Sequence, residues 1–129
     1  MLRSDNAGES LEGMRILLVE DDPLICLDLE ASLVELGALV TSATDVSAAL
    51  QAIADKALDF AILDFELGRE TSEPIAAAAK ARNLPFLFLS GYGEQDVRFG
   101  RWPGIQVLVK PLTAATIARG IWNVLPARA

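Results

Sequence analysis

The chain has 129 residues, a formal charge of −7, 52% hydrophobic and 22% charged residues, one cysteine and no histidine. Its length makes one domain with a core of its own, and a negative charge with scattered basic residues excludes the clustered Lys/Arg footprint of a nucleic-acid binder. The lack of histidine excludes His-ligated zinc, Ser-His and Cys-His triads and an internal phosphohistidine relay, and the single Cys26 excludes an internal disulfide. Cys26 reads as a small buried hydrophobe. No apolar run approaches the roughly eighteen residues of a membrane span, so a cytoplasmic protein is expected.

Residues 1–13 are polar and aperiodic, which predicts a flexible N-terminal tail, with the domain occupying residues 14–126. The first strand is expected at about Arg15 to Val19. Asp22-Pro23 then reads as a helix cap followed by a first-turn proline. Ile25, Leu29, Ser32, Leu33 and Leu36 recur at helical spacing until Gly37 stops the helix. A second strand is expected at about Ala38 to Ala43. Asp45 then caps a helix with Val46, Ala49, Leu50 and Ile53 on its buried face. Phe60 to Leu63 gives a third strand ending at Asp64, and a loop from Phe65 to Thr71 contains Gly68. A third helix runs from near Ser72 to about Arg82, where Asn83-Leu84-Pro85 breaks it.

Phe86 to Leu89 forms a fourth strand ending at Ser90, and Val107 to Val109 a fifth ending at Lys110. Between them, Gly91 to Gly104 holds four glycines and a proline, leaving room only for a short or irregular fourth helix. Thr113 caps a last helix with Ile117, Ile121, Val124 and Leu125 on one face. Alternating strands and helices predict βαβ units with right-handed crossovers. The expected fold is a flavodoxin-like, doubly wound, five-stranded parallel sheet of order 2-1-3-4-5.

In such a sheet, ligands bind beyond the carboxyl ends of the strands. The residues placed there are Glu20 and Asp21 after the first strand, Asp64 after the third, Ser90 after the fourth and Lys110 after the fifth. Clustered carboxylates repel unless a cation lies among them, and hard oxygen ligands with room for water favour Mg²⁺. A carboxylate beside Mg²⁺ can act as a nucleophile toward phosphorus. The Lys110 ammonium and Ser90 hydroxyl suit phosphoryl oxygens. Asp22 is better read as a cap than as a ligand.

The segments ILLVEDDPLI (16–25), AILDFEL (61–67), FLSGYG (88–93) and VLVKPL (107–112) resemble the receiver domain of two-component response regulators, over about Met14 to Pro126. The resemblance implies that Asp64 is the phosphoacceptor, fed by a sensor histidine kinase or phosphotransfer protein. It also implies that Glu20, Asp21, Asp64 and the Glu66 backbone carbonyl hold Mg²⁺. Ser90 would be the switch hydroxyl and Lys110 the phosphate-binding lysine, with a cis peptide before Pro111. The family's usual fifth-strand aromatic is missing near Val107. FLSGYG is similar in part to the variant receivers with a Phe-Ala-Thr-Gly-x-Tyr signature. Phe88, Ser90 and Gly91 fit, while Leu89 replaces the alanine and Gly93 the final tyrosine, which leaves Tyr92 as a possible switch aromatic. The 46 residues from Asp64 to Lys110 are several fewer than usual in the family. This shortening marks Gly91 to Gly104 as a segment that would order on phosphorylation.

The expected function is therefore that of a bacterial single-domain response regulator in a Mg²⁺-dependent phosphorelay. It would signal by binding a downstream protein, or act as a phosphate sink, as a monomer or weak dimer without nucleic-acid or membrane contact. It is not expected to be an enzyme. Two alternatives come from other classes: a receiver-fold binding module without phosphotransfer, and a Mg²⁺-dependent phosphatase with an aspartate nucleophile. The second rests on the resemblance of Asp64-Phe65-Glu66 to the Asp-x-Asp start of haloacid-dehalogenase-type phosphatases.

Overall fold

The structure, a computed structural model, describes residues 10–93 and 96–125. Short apolar runs without helical periodicity become the strands β1 (Arg15–Val19), β3 (Phe60–Asp64), β4 (Phe86–Ser90) and β5 (Val107–Val109), and the mixed segment LVTSA forms the edge strand β2 (Leu39–Ala43). Between and after them lie α1 (Pro23–Glu35), α2 (Val46–Asp55), α3 (Glu73–Ala81) and α4 (Ala114–Val124). The strands pair in parallel in the order β2-β1-β3-β4-β5. This is the doubly wound sheet expected from the sequence. Every residue of β3 and β4 is buried, because these central strands are covered on both faces.

Alternate residues of each strand point to opposite faces and build two cores. Leu17, Val19, Ala61, Leu63, Phe86 and Phe88 pack with Ala49 and Ile53 of α2 and Ile75, Ala76 and Ala79 of α3. Ile16, Leu18, Phe60, Ile62, Leu87 and Leu89 pack with Leu29 and Leu33 of α1 and Ile117 and Ile121 of α4. The chain from Phe65 to Thr71 forms a small antiparallel hairpin, Glu66–Leu67 against Glu70–Thr71. The place of a fourth helix before β5 is taken by a 3-10 helix of five residues, Val97–Arg101. The glycine content of the segment accounts for its shortness.

The helix starts follow the capping residues. The Asp22 carboxylate accepts from the N–H groups of Leu24 and Ile25, Asp45 from Ala48 and Thr113 from Thr116. The α1 face differs from the expected stripe: Cys26, Leu29 and Leu33 are buried, whereas Ile25 is exposed beside Leu24 and Leu27. Leu24 to Cys26 are consecutive apolar residues, so helical period alone cannot choose among them. Leu50 of α2 is likewise at the surface, and Ala52 takes the inward position.

The expected tail needs correction at its end. Residues 1–9 lie outside the described residues, but Ser10 to Gly13 are docked. Leu11 is buried, its N–H donates to the Leu36 carbonyl at 2.8 Å, and the Gly13 N–H donates to the Gly37 carbonyl at 2.9 Å. Trp122 of α4 closes the other side, its Nε1 donating to the Ser10 carbonyl at 3.1 Å. Gly37 makes this docking possible. At its φ of +102°, a Cβ would stand 2.7 Å from Glu12 Cα.

The Ser72 hydroxyl, fully buried at the start of α3, makes no hydrogen bond among the described residues. Ser72→Ala is therefore expected to leave stability unchanged or raise it by up to about 1 kcal/mol, since a buried hydroxyl without a partner costs more than it returns. A loss of more than that in a urea titration would show that the hydroxyl has a partner. No helix among the described residues is long and apolar enough to cross a membrane.

Candidate metal centre

Parallel pairing brings the carboxyl ends of β1, β3, β4 and β5 to one edge. Glu20 directly follows β1 and its N–H donates to the Ala43 carbonyl at 3.1 Å. Asp64 is the last residue of β3, in register with Leu89, and Ser90 ends β4 opposite Val109. The Lys110 N–H donates to the Ser90 carbonyl at 2.8 Å. Sheet order thus places acid, acid, hydroxyl and ammonium in adjacent positions.

Glu20 and Asp64 are only 1% and 5% exposed. The Lys110 ammonium joins them, with Nζ at 3.1 Å from Glu20 Oε1 and 3.0 Å from Asp64 Oδ2. Asp21 is exposed and supplies a third carboxylate, and one oxygen from each of the three lies within 4.8 Å of the others. Three carboxylates face one ammonium, so the cluster carries excess negative charge. Hard oxygen donors, one of them open to water, fit Mg²⁺, which keeps part of its hydration.

Burial pushes the Asp64 carboxyl up to about 7. The hydrogen bond from Lys110 pulls it down, and the neighbouring Glu20 pushes it up. Burial works to lower the Lys110 pKa as well, but Asp64 and Glu20 outweigh it and hold the ammonium above its ordinary value. Asp22 serves as the α1 cap, and its N–H also steadies Glu20, donating to Oε2 at 3.2 Å. Ser90 is buried and its Oγ accepts from the Tyr92 N–H at 3.0 Å. The Tyr92 ring is largely exposed. The Lys110–Pro111 peptide is cis. Val107, where the family aromatic is absent, is buried opposite Phe88.

Residues that sequence reasoning passed over tie the 3-10 helix to the loop after Asp64. Arg98 pairs with Glu66 at 2.8 Å and with Asp96 at 2.6 Å. Arg101 grips Glu73 through two hydrogen bonds of 2.8 and 2.7 Å, and Trp102 Nε1 donates to the same carboxylate at 2.8 Å. The Arg101 hydrogen bonds outweigh burial and, with Trp102 and Thr71, hold Glu73 down to about 2. Phe99 packs against Phe65 and Phe88 with centroids 4.7 and 5.5 Å apart. Most of the glycine-rich segment is therefore anchored, with Glu94 and Gln95 outside the described residues. The available signal was the aromatic pair Phe99 and Trp102 amid glycines.

A doubly wound parallel sheet that gathers three carboxylates, a hydroxyl and an ammonium at its carboxyl edge defines the class: an α/β domain whose acidic cluster could hold a metal ion. The comparisons narrow it. SdrG from Sphingomonas melonis Fr1 is 36% identical, with 87% of this chain and 96% of that one covered and a TM-score of 0.73. The receiver domain of a sensor histidine kinase from Pseudomonas aeruginosa PAO1, with magnesium coordinated in its active-site cleft, is 27% identical. That match covers 87% of this chain and 97% of the other, with a TM-score of 0.76. The transcriptional activator protein PfeR of Pseudomonas aeruginosa is 33% identical over 111 residues, which is 84% of this chain. The match spans only 36% of that protein's length. No protein-family model matches the chain. The chain belongs to the receiver domains of response regulators.

Proposed function

We propose that this receiver domain accepts a phosphoryl group on Asp64 from a phosphohistidine of a sensor kinase or phosphotransfer protein, in a Mg²⁺-dependent reaction. The observation that carries the reading is the cluster itself: a buried Asp64 carboxylate 3.0 Å from the Lys110 ammonium, with carboxylate oxygens of Glu20 and Asp21 within 4.8 Å. Glu20, Asp21, Asp64 and the Glu66 carbonyl would hold the metal, which when bound neutralises charge on the transferring phosphoryl oxygens. An Asp64 carboxylate oxygen attacks phosphorus, the N–P bond of the donor breaks, and an acyl phosphate forms as the imidazole leaves. Lys110 then pairs with the new phosphoryl oxygens, and Ser90 donates its hydroxyl proton to one of them.

The domain transfers phosphate only onto itself and is not an enzyme in the turnover sense. It acts in the cytoplasm of a bacterium through a protein partner, or as a phosphate sink, without touching nucleic acid. The partial Phe-Ala-Thr-Gly-x-Tyr likeness supports a variant readout in which Tyr92 and the 3-10 helix, rather than a β5 aromatic, respond. Incubation with Mg²⁺ and acetyl phosphate is expected to add one phosphoryl mass to the wild type and none to Asp64→Asn. Equal modification of both would assign the phosphate elsewhere, and sustained ester turnover would favour a phosphatase.

A further inference from the structure

Arg98 stands at no strand end, yet its guanidinium reaches the chain that leaves Asp64. Nη2 donates to Glu66 Oε2 at 2.8 Å, while Nε and Nη2 both donate to Asp96, at 3.1 and 2.6 Å. Its Cζ lies 4.8 Å from the centroid of the Phe65 ring, the residue between Asp64 and Glu66. Phe65 is itself fully buried, edge-on to Phe88 at 5.2 Å and to Phe99 at 4.7 Å. Beyond Glu66 the hairpin turn comes back to the acids, since a Cβ built on Gly68 would lie 3.8 Å from Asp21 Oδ2. Arg98 therefore grips residues 65 and 66 from the ring and the carboxylate at once, where the chain runs between Asp64 and the exposed side of the acid cluster.

We propose that Arg98 is a positioning residue for the metal centre, holding Glu66 so that its backbone carbonyl is in place before Mg²⁺ arrives. The inference rests on the Mg²⁺ reading of Glu20, Asp21, Asp64 and Glu66 given above. The hairpin pairing of Glu66 with Thr71 holds this backbone in part, and the Arg98 grip removes further freedom that ion binding would otherwise have to freeze out. Second partners of metal ligands commonly matter by ten- to a hundredfold in affinity, and a partly exposed Arg98 belongs at about tenfold. Simple electrostatics points the other way. Arg98 is a cation near a cation site, so its removal alone would tighten Mg²⁺ binding. The sign of the change separates the two effects.

The test is Mg²⁺ titration of the full chain, followed by amide chemical shifts, for wild type, Arg98→Ala, Arg98→Lys and Arg101→Ala. Arg98→Ala is expected to weaken the Mg²⁺ Kd about tenfold, with part of the loss recovered in Arg98→Lys, which keeps charge but not the fork. Arg101→Ala removes a cation from the same 3-10 helix while leaving Glu66 gripped, and is expected to stay within about twofold of wild type. Unchanged or tighter binding in Arg98→Ala, or an equal loss in Arg101→Ala, overturns the inference while wild-type binding stands. A wild type with no Mg²⁺-dependent shifts overturns the metal reading itself, and this inference with it.

Discussion

Asp64→Asn is expected to make the metal-free protein more stable at pH 8.5, by about 1–2 kcal/mol, while removing its ability to take phosphate. The reason is the raised Asp64 pKa, about 7 against an ordinary 3.8. A carboxyl raised in the folded state contributes stability that is fully present below its unfolded value, near pH 4. That contribution is lost as pH rises through about 7. Above that pH the wild type carries a buried, crowded carboxylate that asparagine does not. The advantage should therefore be much smaller at pH 4.5, where folded Asp64 is protonated.

Saturating Mg²⁺ should reverse the ranking. An ion that binds only the folded wild type stabilises it by about 2.7 kcal/mol at a hundred times its Kd. Urea midpoints at the two pH values, with and without Mg²⁺, read all of this. A less stable Asp64→Asn at pH 8.5 in the absence of metal would contradict the cost assigned to the Asp64 charge.

Lys110→Met should act in the opposite direction and more strongly. It leaves Glu20 and Asp64 facing each other without their shared ammonium, and stripping one partner from a buried ion pair costs about 3–5 kcal/mol. Lys110 is 28% exposed on its side chain, so solvent screens part of that, and about 2–3 kcal/mol is expected at pH 8.5. The penalty should shrink toward pH 5, where a proton on Asp64 replaces the lost cation. It should also shrink by about 1 kcal/mol in an Asp64→Asn background, because contacting charges do not contribute additively. Equal penalties in both backgrounds would mean that Lys110 stabilises through its aliphatic stem.

The parts legible in the sequence are those written in local pattern. Ile16 to Val19, Phe60 to Leu63 and Phe86 to Leu89 are apolar runs too short for buried helices, each running directly into a polar group, so strands and site appeared together. Asp22-Pro23, Asp45 and Thr113 announced helix starts by hydrogen bonds made within three residues. What stayed hidden depends on distance along the chain. Glu66 and Arg98 are 32 residues apart, and Glu73 and Arg101 28 apart. Neither charge carries a period that names its partner. Leu11 was lost in a polar segment because one apolar residue makes no pattern, yet a single leucine suffices to dock four residues. The inward face of α1 was misplaced at Ile25, since a helix apolar on most sides is oriented by its neighbours rather than by its own sequence.

The link between Trp122 and Ser10 carries a practical consequence. Both residues lie at the end of the domain where the strands begin, since Leu11 and Gly13 bond to the chain just after α1 and Trp122 lies near the end of α4. The acids, Ser90 and Lys110 lie at the opposite pole. A tag, surface tether or fluorophore attached at either end of the described chain therefore hangs from the far side. Immobilised through such a handle, the described domain turns its acidic pole away from the support.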